Sequence, residues 1–175
     1  MIILGVDPGL TRCGFGVIES EGTKLLDFGL FTSEAGTDPR DRVGKIASGL
    51  KEVLSRHRPE VIALERVFAQ ANLRSVMGVA QISGSLMQMA YELDIPLQFF
   101  TPSEVKAAVT GNGRADKAQV GQMVARLVGQ EIPGPPDVAD AVAVAICGAK
   151  RGGATGTAAQ KKWVAAAKAA NRRIG

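Results

Sequence analysis

The sequence predicts an α/β domain. A five-stranded mixed sheet, with strands 1–3 antiparallel and strands 4 and 5 parallel to strand 1, carries helices on both faces. Two observations predict it. Three short apolar runs, IILGVD (2–7), EVIALE (60–65) and PLQFF (96–100), alternate with helical patterns, as buried parallel strands do. Two further runs, GFGVIES (14–20) and TKLLDFGLF (23–31), flank a short turn around Glu21-Gly22, as in an antiparallel hairpin.

The first strand ends on Asp7, and Pro8-Gly9 stop it. After the hairpin, Val43, Ile46, Leu50, Val53 and Leu54 recur at helical spacing between Asp38 and Arg58, and Pro59 ends the helix. His57, between Arg56 and Arg58, reads as part of a solvated helix end with no role. The fourth strand ends, like the first, on a carboxylate, Glu65. A long helix follows over about 73–93, carrying Val76, Met77, Val79, Ala80, Ile82, Leu86, Met87, Met89 and Ala90. A helix so nearly apolar all round needs cover on both sides. The sheet supplies one cover, and a second copy of the chain related by a two-fold axis is the simplest source of the other.

In TPSE, Thr101 is the expected N-cap, Pro102 the first helical residue and Glu104 the far end of a capping box. GNGR (111–114) is a turn, a helix follows over about 116–128, and PGPP (133–136) leads into a last helix from Asp137 to about Gly148. RGGATGT (151–157) reads as a hinge. Residues 1–150 are therefore expected to form the folded domain. Residues 151–175 form a basic C-terminal tail that is either a basic helix or disordered.

At 175 residues, 46% hydrophobic and 22% charged, the chain is the size and composition of one soluble domain. It has no run of 18 apolar residues and no basic, leader-like start, so neither a membrane partner nor export is expected. Cys13 and Cys147 have neither metal-knuckle nor disulfide-framework spacing, which fits reduced thiols in the cytoplasm. All 17 acidic residues lie in 1–149 with 14 basic ones, whereas 150–175 hold seven basic residues and no acidic one. A polyanionic partner would account for this asymmetry, and so would a solvated tail that aids solubility.

Two more acids complete a pattern. Asp137 and Asp140 are three residues apart at the start of a helix, so they share one face. The apolar AVAVAIC behind them marks that helix as buried. Asp7 and Glu65, at the ends of parallel strands, meet at one sheet edge, where α/β sites form. Singly, Asp137 reads as a helix cap and Asp7 as a turn cap. Gathered, the four would repel one another, and no neighbouring Arg or Lys in sequence is placed to pair with all of them. Arg66, beside Glu65, would face the other side of the strand. Hard cations with oxygen ligands, Mg²⁺ or Mn²⁺, resolve the repulsion. A pair of such ions about 4 Å apart is the usual arrangement for phosphodiester cleavage.

The segments GVDPGLTRCGFGVIE, ALERVFAQANLRSVMGVAQISG, TPSEVKAAVTGNGRADKAQV and PPDVADAVAVAICGA resemble, in order, the blocks of the RuvC family. These are the bacterial Holliday junction resolvases (crossover junction endodeoxyribonucleases) of the RNase H-like superfamily. The resemblance covers about residues 1–150. It implies an RNase H-like nuclease, Mg²⁺-dependent and homodimeric, that nicks a four-way DNA junction symmetrically in recombination and repair. It also implies work beside the RuvA–RuvB branch-migration machinery. The family's catalytic, metal-binding acids fall on Asp7, Glu65, Asp137 and Asp140. Phe68 falls on a loop aromatic, and an aromatic there, between Arg66 and Gln70, suits stacking on an unpaired base. Lys106 and Lys117 match family lysines and suit phosphate contacts, as does Arg74 at the start of the long helix. Arg114 is less typical of the family than a small residue.

Three rival readings fit less of the chain. The GVDPG start also resembles the phosphate loop of actin-like sugar kinases, which need a second lobe this chain is too short to hold. A small RNase H-like nuclease that processes ribosomal RNA precursors shares the DPG start but not ERVF with the long apolar helix. A non-catalytic junction-binding protein would not need four intact acids.

Overall fold

The computed structural model describes residues 1–66 and 73–153, without the side chains of 73–75. Phe68, the side chain of Arg74 and the tail from residue 154 lie outside the described residues. Five strands, β1 (Ile2–Asp7), β2 (Arg12–Glu19), β3 (Lys24–Thr32), β4 (Val61–Glu65) and β5 (Leu97–Phe100), form one sheet in the order β3-β2-β1-β4-β5. β1–β2 and β2–β3 are antiparallel, and β4 and β5 run parallel to β1, as the sequence predicts. The hairpin turn is a short 3-10 segment over Glu21–Thr23. Among the described residues no helix is long and apolar enough to cross a membrane.

Period-two alternation divides the sheet into two faces. Leu4, Val6, Ile62 and Leu64 point to one, under α1 (Pro39–His57) and α2 (Leu73–Glu92). There they meet Ile46, Leu50, Leu54, Ile82 and Leu86, all buried. Ile3, Val61 and Ala63 point to the other face, under α3 (Pro102–Thr110), α4 (Lys117–Val128) and α5 (Pro136–Gly153). α5 is the central element of that layer, with Ala141 to Cys147 all buried. The two cysteines are free and lie in opposite layers, Cys13 in the core shared with α1 and α2 and Cys147 in α5.

Local chemistry sets the helix ends. Asp38 caps α1 by accepting from the Arg40 amide, and Arg58 ends it in the left-handed conformation at φ 45°. Capping boxes start α3, from Thr101 and Glu104, and α4, from Asp116 and Gln119. Gly111 and Gly129 close these two helices at positive φ, where a side chain would be strained.

Two sequence expectations are corrected. His57 is not part of a solvated helix end. Its side chain is 16% exposed, and its Nε2 lies 2.7 Å from Asp27 Oδ2 on β3. α5 runs past Gly148 to Gly153, so the hinge expected at 151–157 begins within a helix. Arg151 lies 4.0 Å over the Phe100 ring and donates to the Phe99 carbonyl and to Glu104 Oε1. Lys150 donates to the Ala108 carbonyl. Two of the seven basic residues of the C-terminal stretch are therefore spent on holding α5 against β5 and α3.

Candidate active site

Asp7 and Glu65 follow the paired residues Val6 and Leu64, so they end neighbouring parallel strands at equal height. They continue the Ile3–Gly5 and Val61–Ala63 rows and face the α5 layer. α5 supplies the other two acids. Its close seat on the sheet depends on glycine: a β-carbon on Gly14 would overlap the Asp137 carbonyl, and one on Gly5 would overlap the Ala141 carbonyl. Gly14 pairs directly with Asp7 across the β1–β2 ladder. The first turn of α5 therefore lies above Asp7. Pro136 at the start and Asp137 in the first turn suit a helix N-terminus.

Burial and neighbouring charges perturb the two strand acids. The pKa of Asp7 is pushed up to about 8, first by burial and then by the charges of Glu65, Asp140 and Asp137, against a smaller opposing pull from Lys117. That of Glu65 is also raised, by burial and then by Asp140, while Lys117 and Lys106 lower it. Lys106 on α3 and Lys117 on α4 thus both lie within electrostatic reach of Glu65. Lys117 Nζ is 3.2 Å from Asp140 Oδ2, and this hydrogen bond raises the ammonium's pKa. A cation in the first turn of a helix opposes the helix dipole, and the Asp140 pair compensates for it.

Sequence reasoning misses the partner of Asp137. Arg12 Nη2 lies 2.5 Å from Asp137 Oδ2, 125 residues away in the chain. Arg12 opens β2 just after the Pro8-Gly9 turn, and Arg42 of α1 fixes that turn. Arg42 donates to Thr11 Oγ1 at 2.8 Å and to Ser33 Oγ at 3.0 Å. The buried Ser33 hydroxyl in turn donates to the Leu10 carbonyl. Nothing local in the sequence signals either long-range pair.

Asp7 and Glu65 have no ion-pair partner among the described residues, whereas Asp137 and Asp140 each have one. Turned toward Arg12 and Lys117, the latter two leave no three acidic, His or Cys side chains converging on one point among the described residues. The donor set nevertheless fits a hard divalent cation. It is made of carboxylate oxygens, and Asp7 and Glu65 are raised first by burial and then by neighbouring acids, both of which a bound cation would offset.

A five-stranded mixed sheet whose parallel strand ends carry two acids, with a buried helix bringing two more, defines an RNase H-like nuclease architecture. The family model described as Crossover junction endodeoxyribonuclease RuvC matches residues 3–148, and the chain belongs to the RuvC family. It is 51% identical over 156 residues to the RuvC of Frankia alni, covering 87% of this chain and 79% of that one. It is 46% identical over 189 residues to that of Bifidobacterium adolescentis, covering 100% and 97%. Among solved structures, Thermus thermophilus RuvC superposes with TM-score 0.80 at 34% identity, over 87% of this chain and 97% of that one. The same protein in complex with a Holliday junction substrate gives 0.78 at 33%, over 84% and 92%.

Proposed function

We infer that this protein is a structure-specific endonuclease that resolves four-way DNA junctions by paired symmetric nicks, in recombination and repair. The observation that carries this reading is that Asp7 and Glu65 end neighbouring strands with Asp137 and Asp140 of α5 within electrostatic reach, in a chain of the RuvC family. The four carboxylates would hold divalent cations, Mg²⁺ in the cell, with two ions per site as the preferred arrangement. Such ions, when bound, supply an activated water and stabilisation of the leaving oxygen.

The protein's own groups have separate tasks. Asp7 and Glu65, on the rigid sheet, fix the position of the site, because their strands are paired on both sides. Asp137 and Asp140 close it from the helix. Lys106 and Lys117, beside Glu65, suit the phosphates flanking the cleaved bond, and Arg74 suits a phosphate further along the strand. Phe68, in the segment after Glu65, suits stacking on a base exposed at the junction centre.

A homodimer through the helix around 73–93 would present two such sites to a two-fold symmetric junction. What supports it is the stripe Met77, Ala80, Gly84, Met87 and Tyr91 on α2, spaced three and four residues apart as along a helix-pairing seam. Met77 is 60% and Tyr91 88% exposed, which is unusual for large apolar side chains on a well-packed helix. Partnership with the RuvA–RuvB branch-migration complex, action in the cytoplasm, and division into a nuclease domain of residues 1–150 with a basic tail complete the proposal.

The test is nicking of a synthetic four-way junction and of a linear duplex of the same sequence, with Mg²⁺ and with chelator. Paired nicks confined to the junction and dependent on Mg²⁺ are expected. Equal cleavage of the linear duplex, or cleavage in chelator, contradicts the proposal.

A further inference from the structure

The sequence gives Arg12 no role, yet it makes the closest ion pair of the site, 2.5 Å between Nη2 and Asp137 Oδ2. The carboxylate it holds is one of the four proposed to take a cation. A carboxylate oxygen cannot donate its full charge to a guanidinium and to a divalent ion at once. The two cations also repel each other at that distance.

The surroundings give Arg12 somewhere else to go. Its side chain is 51% exposed, against 21% for Asp137. It borders an open cleft of about 490 Å³ lined by Leu10, Thr11, Arg42 and Gly78. The backbone beneath it is fixed, because Arg42 and Ser33 hold the preceding turn. Only side chains therefore need to move: the backbone of Asp137 is seated on Gly14, and its carboxylate is free to turn once Arg12 leaves.

We propose that Arg12 is the resident counter-ion of Asp137, a positioning residue that holds this carboxylate turned away from the other acids until an incoming divalent cation displaces it. The proposal rests on the four-carboxylate reading above. It makes cation uptake a competition, so removing Arg12 strengthens metal binding, whereas a merely structural role predicts that removal weakens it.

The experiment measures Mn²⁺ affinity of the full-length, DNA-free protein by electron paramagnetic resonance, with circular dichroism as the check on folding. Arg12→Ala is expected to bind Mn²⁺ roughly two- to five-fold more tightly than wild type, the range for removal of a half-exposed ion pair. Arg12→Lys, which keeps the charge, is expected to fall between them. In an Asp137→Asn background the same Arg12→Ala change should no longer tighten binding, because the pair is already gone. Unchanged or weaker Mn²⁺ affinity in Arg12→Ala overturns the proposal and leaves the four-carboxylate reading standing. Equal tightening in the Asp137→Asn background also overturns it, since it would mark a general field effect. Absence of Mn²⁺ binding by the wild type overturns both.

Discussion

The backbone of Gly14 lies directly beneath the carbonyl of Asp137, with no room for a β-carbon between them. One glycine on β2 thereby sets how far the first turn of α5 stands above Asp7, the residue Gly14 pairs with on β1.

Gly14→Ala should lift that turn. The overlap is with backbone, which cannot rotate away, so a stability loss of about 1–3 kcal/mol is expected. Nicking should fall by roughly 10- to 100-fold beyond any decrease in folded protein, because a displacement on the scale of 1 Å disturbs the four-acid geometry. Thermal melting and single-turnover cleavage on the same sample separate the two effects.

Asp7 should make the metal-free protein less stable as pH rises. Its folded-state pKa is raised to about 8 from 3.8, so folding favours the protonated form. That advantage is complete below about pH 4 and is lost as pH climbs through about 8. Asp7→Asn removes the titration. In chelator, the melting temperature of the variant relative to wild type should therefore rise between pH 5 and pH 8, by about 3 °C or more. Added Mg²⁺ at pH 8 should narrow the gap by stabilising only the wild type. A pH-independent gap would mean that burial and the neighbouring acids do not raise the pKa of Asp7.

Two residues on α2 should behave oppositely. Ile82 is fully buried against the sheet, and Ile82→Glu should unfold the protein, since it buries an unpaired charge. Met87 is 49% exposed on the outer stripe, and Met87→Glu should cost no more than about 0.5 kcal/mol in the monomer. Sedimentation should show the Met87 variant folded and monomeric, with its nicks no longer paired. If it remains dimeric, the dimer uses another face.

The tail should contribute less charge to DNA binding than its composition indicates, because Lys150 and Arg151 are engaged within the fold. Deleting residues 154–175 removes Lys161, Lys162, Lys168, Arg172 and Arg173. Log junction affinity against log salt should flatten by about 0.9 for each phosphate that the shortened chain no longer neutralises. Cleavage at saturating DNA should survive the deletion, and an unchanged slope would mean the tail is merely solvated.

Much of this site is legible in the sequence because two periodicities carry it. Alternation along IILGVD and EVIALE puts Asp7 and Glu65 on one face, and helical spacing puts Asp137 beside Asp140. The capping boxes of α3 and α4 are equally local, and TPSE alone announces the first of them. The long-range pairs are not legible. Arg12–Asp137 and His57–Asp27 join residues whose proximity arises only when α5 and α1 dock on the sheet. The end of α5 escapes the sequence for the same reason. RGG looks like a hinge until Arg151 is seen against the Phe100 ring.

The central claim is that Asp7 belongs to a cation-holding catalytic cluster and is not a turn cap, and Asp7→Asn tests it most directly. The variant keeps the size of the side chain and removes its charge. Nicking of a four-way junction in Mg²⁺ should drop by several orders of magnitude while the protein remains folded, since metal assistance supplies most of the transition-state stabilisation. Junction affinity measured in chelator should persist or rise, because one negative charge near the phosphates is gone. A stable Asp7→Asn protein that still resolves the junction at near wild-type rate would contradict the assignment of this site.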